Sequence, residues 1–134
     1  MLKLIQRLIF IAFAAGVFVH AAPIQAAEWQ GYTAERFASA VAAGSPIFID
    51  IKASWCPTCK AQRPVIDKLS LKPEYTGIAY FEVDFDSQKD VVRYFRAQRQ
   101  STLIALQGGT EVARSVANTD PVAIENLLIA AIKK

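Results

Sequence analysis

Two cysteines stand three positions apart in the segment Trp55-Cys56-Pro57-Thr58-Cys59-Lys60, and the chain has no others. A C-x-x-C pair can do three things: cycle between dithiol and disulfide, form half of a zinc knuckle, or sit as ordinary buried cysteines. A structural zinc site takes four sulfur or nitrogen ligands, which two cysteines cannot furnish without a partner. His20 is the only histidine. It falls in a segment that reads as a leader, so the mature chain has no imidazole for Ser-His-Asp or Cys-His nucleophile pairs, nor for zinc.

That leader reading rests on the first 27 residues. Lys3 and Arg7 precede an uncharged apolar run from Leu8 to Val19, and small residues follow at Ala21, Ala22, Ala26 and Ala27. This is the layout of a secretory signal peptide, expected to span residues 1–27 with cleavage after Ala26 or Ala27. The run is short for a bilayer, which takes roughly 20 apolar residues. An uncleaved anchor is the alternative, and lipid attachment is excluded because the segment holds no cysteine. Removing Lys3 and Arg7 lowers the net charge from +3 to +1. The remaining basic residues are interspersed with acids, which leaves no footprint for nucleic acid. Export places the chain in an oxidising compartment, periplasmic by expectation, where thiols at this spacing would act as a redox pair.

The elements that must hold the pair follow from residue patterning. Residues 28–134 suffice for one domain with one core. Thr33 can cap a helix through Phe37, Ala40 and Val41 that stops at Gly44. The run Pro46 to Ile51 is almost wholly apolar and β-branched, as in a strand buried on both faces. Val65, Ile66 and Leu69 carry helical spacing from Cys56 to about Ser70, closed by Lys72-Pro73. Ile78 to Phe85 reads as a second central strand. Ser87 is placed as the cap of a helix through Val91, Val92, Tyr94 and Phe95. Thr102 to Leu106 and Glu111 to Val116 form a hairpin across Gly108-Gly109, and Asp120-Pro121 opens the last helix. The expected fold is α/β, a mixed central sheet of about four to five strands with helices on both faces.

This arrangement puts Cys56 at the N-cap of a helix, Pro57 at its first position and Cys59 at its third. The Cys56 sulfur can accept N–H bonds from the first turn, and the helix dipole favours its thiolate. Cys56 is therefore expected to be the solvent-reachable attacking thiol, and Cys59 the buried resolving thiol. Pro57 costs the helix nothing, since that N–H has no intrahelical partner. Asp50 lies between Ile49 and Ile51, where an ionised carboxylate costs several kcal/mol unless protonated or partnered. Such a placement points to function.

With Asp50, Trp55, Cys56, Cys59, Lys60, Pro64 and the strand end Val83-Asp84-Phe85-Asp86 in their joint spacing, the chain resembles the thioredoxin family over nearly all of residues 28–134. The resemblance implies a thioredoxin fold, thiol-disulfide exchange, no cofactor beyond a Cys56–Cys59 disulfide, and no resident metal. It makes Asp50 the acid or base serving Cys59. Glu82 would lie near that carboxylate and raise its pKa, or else be an ordinary exposed glutamate. Trp55 is expected to pack beside the disulfide and Pro64 to kink the helix. Trp55, Pro57, Thr58, Gln100, Ser101 and Thr102 become the candidate client-binding residues.

One departure stands out. Thioredoxins place a cis-proline against the redox pair, and Ser101 takes that position here. A cis bond before a non-proline residue costs roughly 2.5–4 kcal/mol, so Gln100-Ser101 should be trans. The family pairs backbone groups beside the cis-proline with an extended partner segment. Serine should then narrow the client range, bring a hydroxyl and an N–H to the sulfurs, or admit a metal ion, and restoring proline should reverse this. The functional expectation is a reductase of exported protein disulfides, fed by a membrane thiol carrier. An oxidase, or a soft-metal-binding module using the same sulfurs, is the alternative.

Overall fold

The structure is a computed structural model and describes residues 27–133. The expected leader lies outside the described residues apart from Ala27. Ten elements follow in order: β1 (Trp29–Gly31), α1 (Ala34–Ala42), β2 (Pro46–Lys52), α2 (Pro57–Ser70), a single 3-10 turn (Pro73–Tyr75), β3 (Ala79–Asp84), α3 (Lys89–Tyr94), β4 (Thr102–Gln107), β5 (Thr110–Val116) and α4 (Pro121–Ile132). The strands form one sheet in the order β1-β3-β2-β4-β5. β1, β3 and β2 pair in parallel, while β4 and β5 run antiparallel to their neighbours. The mixed α/β architecture is the one expected.

Two elements differ from the sequence reading. β1 was not anticipated: three residues carry too little periodicity to signal a strand, and this one exists through its pairing with Tyr80 to Glu82. Ser87 does not cap α3. Its N–H and hydroxyl both donate to Asp84 Oδ1, each at 2.7 Å, and Gln88 occupies the cap with its side chain turned to the Asp84 N–H and the Tyr32 carbonyl rather than to the first turn of α3. The Asp84 carboxylate, so close to the end of β3, intercepts the serine before the helix begins.

β2 is central, and Ile47 to Ile51 are all buried. Its alternation divides two cores. Ile47, Ile49 and Ile51 pack with Phe37, Phe81, Val92, Phe95 and Ile104. Phe48 faces the other way, into a cluster with Ile66, Leu69, Tyr80, Leu103, Ile124 and Leu128. Each such side chain contributes about 1.5–3 kcal/mol by leaving water. Asp50 is two residues beyond Phe48 and so points to the face that α2 covers. The caps of α1 and α4 are as read from sequence: Thr33 Oγ1 accepts from Arg36 N–H at 3.2 Å and Asp120 Oδ1 from Ala123 N–H at 2.8 Å. Gly44 has φ +66°, the left-handed backbone that ends α1.

Candidate active site

Cys56 stands at the N-cap of α2 with extended backbone, and Pro57 begins the helix. The Cys56 Sγ accepts a hydrogen bond from the Cys59 N–H at 3.0 Å. The sulfur thus takes the place of the side-chain oxygen that usually caps a helix, at the end where the dipole favours negative charge. Cys56 and Cys59 are joined as a disulfide. They pack with Ala53 and Phe85 and expose only 1% and 5% of their surface. Exposure therefore does not distinguish the two in the oxidised state, contrary to the expectation of an open Cys56 over a buried Cys59. The difference is positional: one sulfur caps the helix and the other lies in its first turn.

Ser101 forms the opposite wall. The Gln100-Ser101 bond is trans, since the described residues contain no cis peptide. The Ser101 Oγ lies 3.1 Å from Cys56 Sγ and 3.4 Å from Cys59 Sγ. Its backbone sits at φ +60°, left-handed for a residue with a Cβ. Its carbonyl accepts from Ala117 N–H at 2.9 Å and from the fully buried Gln62 Nε2 at 3.5 Å. Proline fixes φ near −65°, so Ser101→Pro cannot be a simple restoration: the loop and both of these bonds must be rebuilt.

Beneath the pair, Asp50 is 1% exposed and one carboxylate oxygen has no hydrogen-bond partner among the described residues. Burial raises its pKa to about 7. Lys52 and Arg63 pull it down and Glu82 and Asp67 push it up, each less than burial does. Glu82 lies directly across from Asp50 in the parallel register. It is only half-buried and forms ion pairs with Lys52 at 3.1 Å and with Arg63. Both sequence readings of Glu82 were thus partly right: it raises the Asp50 pKa, but its own charge is compensated at the protein surface. A cleft of about 460 Å³ is lined by Asp50, Lys52, Cys59, Lys60, Arg63 and Asp84. Asp50 and Cys59 therefore share one opening.

The remaining expected residues differ in exposure. Trp55 is 57% exposed and its indole N–H donates to Asp86 Oδ2 at 2.8 Å, so it is a surface side chain rather than a core aromatic. Pro57 is exposed, and Thr58 and Gln100 are half-buried. Thr102 is buried, with its hydroxyl donated to Arg99 O at 2.7 Å. α2 runs on through Pro64 to Ser70. Sequence reasoning missed Lys52, Arg63 and Gln62. Arg63 alone carried a local signal, its four-residue spacing from Asp67, to which it bonds at 2.9 Å.

Comparison with known proteins settles the family. The family model described as thioredoxin matches residues 28–130. The chain belongs to the thioredoxin family. It is 33% identical over 97 residues to thioredoxin-2 of Saccharomyces cerevisiae, covering 72% of this chain and 90% of that one. It is 35% identical over 89 residues to an H-type thioredoxin of Fagopyrum esculentum, covering 66% and 72%. The crystal structure of Trxlp from Edwardsiella tarda EIB202 superposes with a TM-score of 0.73 at 38% identity, over 75% of this chain and 97% of that one. As a thioredoxin, the chain is a thiol-disulfide oxidoreductase acting on protein disulfides, and its redox group is intrinsic, the Cys56–Cys59 pair.

Proposed function

We propose that this thioredoxin is an exported reductase of protein disulfides in which Cys56 attacks and Cys59 resolves. The observation that carries the reading is the pairing of a sulfur at a helix N-cap with a buried carboxyl in the cleft it shares with the second sulfur. In the dithiol form the Cys56 thiolate attacks one sulfur of a client disulfide. A Cys56–client mixed disulfide forms and a client thiolate departs. Cys59 then gives its proton to the Asp50 carboxylate and attacks Cys56 Sγ. The intramolecular disulfide closes and the second client sulfur leaves as a thiolate, so two electrons pass from the pair to the client. An Asp50 pKa of about 7 suits this exchange, since the group is then an effective acid and base near neutrality.

A reductase role is supported by that buried carboxyl, and by the absence of a histidine between the cysteines that would stabilise the reduced form. The engagement of the Ser101 carbonyl with Ala117 and Gln62 supports a narrower client range, because that group is not free to pair with an extended partner. A soft-metal role finds less support: among the described residues no three His, Cys, Asp or Glu side chains converge to hold a metal ion. One relative, from Mycobacterium leprae, is a bifunctional thioredoxin reductase/thioredoxin. An exported chain would instead draw electrons from a membrane thiol carrier.

Equilibration of the purified mature domain with glutathione buffers, with metal content measured on the same sample, tests the activity. A potential below about −200 mV without bound metal is expected for a reductase. A potential near −120 mV would make the chain an oxidase, and stoichiometric soft metal would make it a metal-binding module. Export is tested by intact mass: the secreted protein is expected to begin at Ala27 or Glu28, and a species still beginning at Met1 would replace the cleaved leader with an anchor.

A further inference from the structure

Among the described residues, Ser101 carries the one side-chain polar group within hydrogen-bond reach of both sulfurs. It is 1% exposed, so no bulk water competes for its proton. Its position is imposed rather than incidental. A left-handed non-glycine residue persists only where its surroundings over-determine it. Here the carbonyl is held by Ala117 N–H, itself at φ +56°, and by Gln62, which also donates to Asn118 O at 2.9 Å. The next residue, Thr102, starts β4 and is paired with Val116. These bonds leave the Ser101 O–H free to turn about a single bond between two sulfurs.

We propose that the Ser101 hydroxyl is a catalytic group that donates its hydrogen bond to whichever sulfur carries the negative charge. In the resting dithiol it donates to the Cys56 thiolate while its oxygen accepts from the Cys59 S–H. In the mixed disulfide Cys56 Sγ is bonded to the client and carries no charge. Cys59 loses its proton to Asp50, and the hydroxyl turns to the Cys59 thiolate until that sulfur closes on Cys56. The hydroxyl neither gains nor loses a proton across the cycle, and the two electrons follow the sulfur exchange already described. A disulfide has no proton to share, so the donor in the oxidised state is the serine itself. Hydrogen bonds to charged groups are roughly twice as strong as neutral ones, so both thiolates gain.

The proposal rests on the reading of Cys56 as the attacking thiol, and the test separates the two. Reduced protein is mixed with the aromatic disulfide Ellman's reagent. Release of the first aryl thiolate reports attack by one cysteine, and release of the second reports resolution by the other. Ser101→Ala removes the hydroxyl and keeps the strained backbone, whereas Ser101→Gly removes the hydroxyl and fits the left-handed backbone. Both variants are expected to slow the first release about threefold at pH 6, with the order reversing above pH 9 where the less stabilised thiolate is the better nucleophile, and to slow the second release by a similar factor. Their equilibrium with glutathione should shift about tenfold toward the disulfide, which is about 30 mV. Parent rates in Ser101→Ala, or parent rates in Ser101→Gly beside slow ones in Ser101→Ala, would overturn the proposal. Peptide mapping after brief alkylation of the reduced parent keeps the outcomes apart. Label on Cys59 in place of Cys56 would remove the attacking-thiol reading and the proposal's first step together. Label on Cys56 with unchanged Ser101→Ala kinetics would remove the hydroxyl's role alone.

Discussion

Replacing Cys59 with serine is expected to abolish turnover, by roughly a thousandfold or more, while leaving Cys56 able to attack and accumulating covalent Cys56–client adducts. The sulfur at the helix cap keeps its N–H bond from residue 59, which is a backbone contact and survives the substitution. Nothing remains to displace the client, because the second sulfur of the site is gone. Cys56→Ser should lose turnover to the same extent and trap few adducts, since the remaining thiol lies in the first turn rather than at the cap. Non-reducing electrophoresis of the two variants after incubation with an oxidised client, followed by mass spectrometry of the adducts, reads the difference directly. Adducts formed by Cys56→Ser and absent from Cys59→Ser would reverse the assignment. Because both cysteines are almost fully buried as a disulfide, the helix cap and not exposure is what this experiment interrogates.

Asp50→Asn is expected to have two separable effects. In catalysis, resolution of the mixed disulfide should slow about a hundredfold at neutral pH, the scale of a lost general base. The parent's resolution rate should rise through pH 7 as Asp50 ionises, and the variant's should lose that rise. In stability, the sign follows from proton counting. Asp50 has a folded pKa of about 7 against an ordinary 3.8, so between those values the folded state holds a proton that the unfolded chain has lost. Stability must fall as pH rises through this window, by on the order of 4 kcal/mol once both states are ionised. Asp50→Asn removes the loss. The variant should be about 2–4 kcal/mol more stable than the parent at pH 8 and about equal to it near pH 4. Denaturant unfolding at several pH values measures this, and parallel stability curves would mean that burial does not hold the carboxyl neutral.

The two effects belong together physically. A carboxyl placed under the sheet face that α2 covers, with one oxygen unpartnered among the described residues, is costly to the fold. Lys52 and Arg63 do not cancel that cost, because their charges are already shared with Glu82 at the half-exposed rim of the cleft. The acid is thus kept close to neutrality by burial while remaining open to Cys59 through the cleft.

Much of this was legible in the residues themselves. The C-x-x-C pair, Pro57 behind the first sulfur and the capping residues Thr33 and Asp120 are local features, and local hydrogen bonding determines what they do. The apolar run of β2 announced a strand buried on both faces, and the carboxylate within it announced a perturbed acid, because burial penalises charge whatever the surrounding topology. Strand pairing decided the rest. β1 exists through three partners some fifty residues away in β3. Glu82 faces Asp50 because of the β2–β3 register, which no single segment encodes. Trp55 turned outward because Asp86, 31 residues on, offers its indole N–H an acceptor. Ser87 lost its cap to the carboxylate of Asp84. Above all, sequence position brought Ser101 to the wall of the site, but its left-handed backbone and its reach to both sulfurs depend on Ala117 and on Gln62, contacts made only when β5 and α2 close around it. Chemistry that depends on residue type and short spacing was determined by the sequence alone. Chemistry that depends on which distant groups share a buried volume was decided by the tertiary structure, because only packing sets their distance and excludes the water between them.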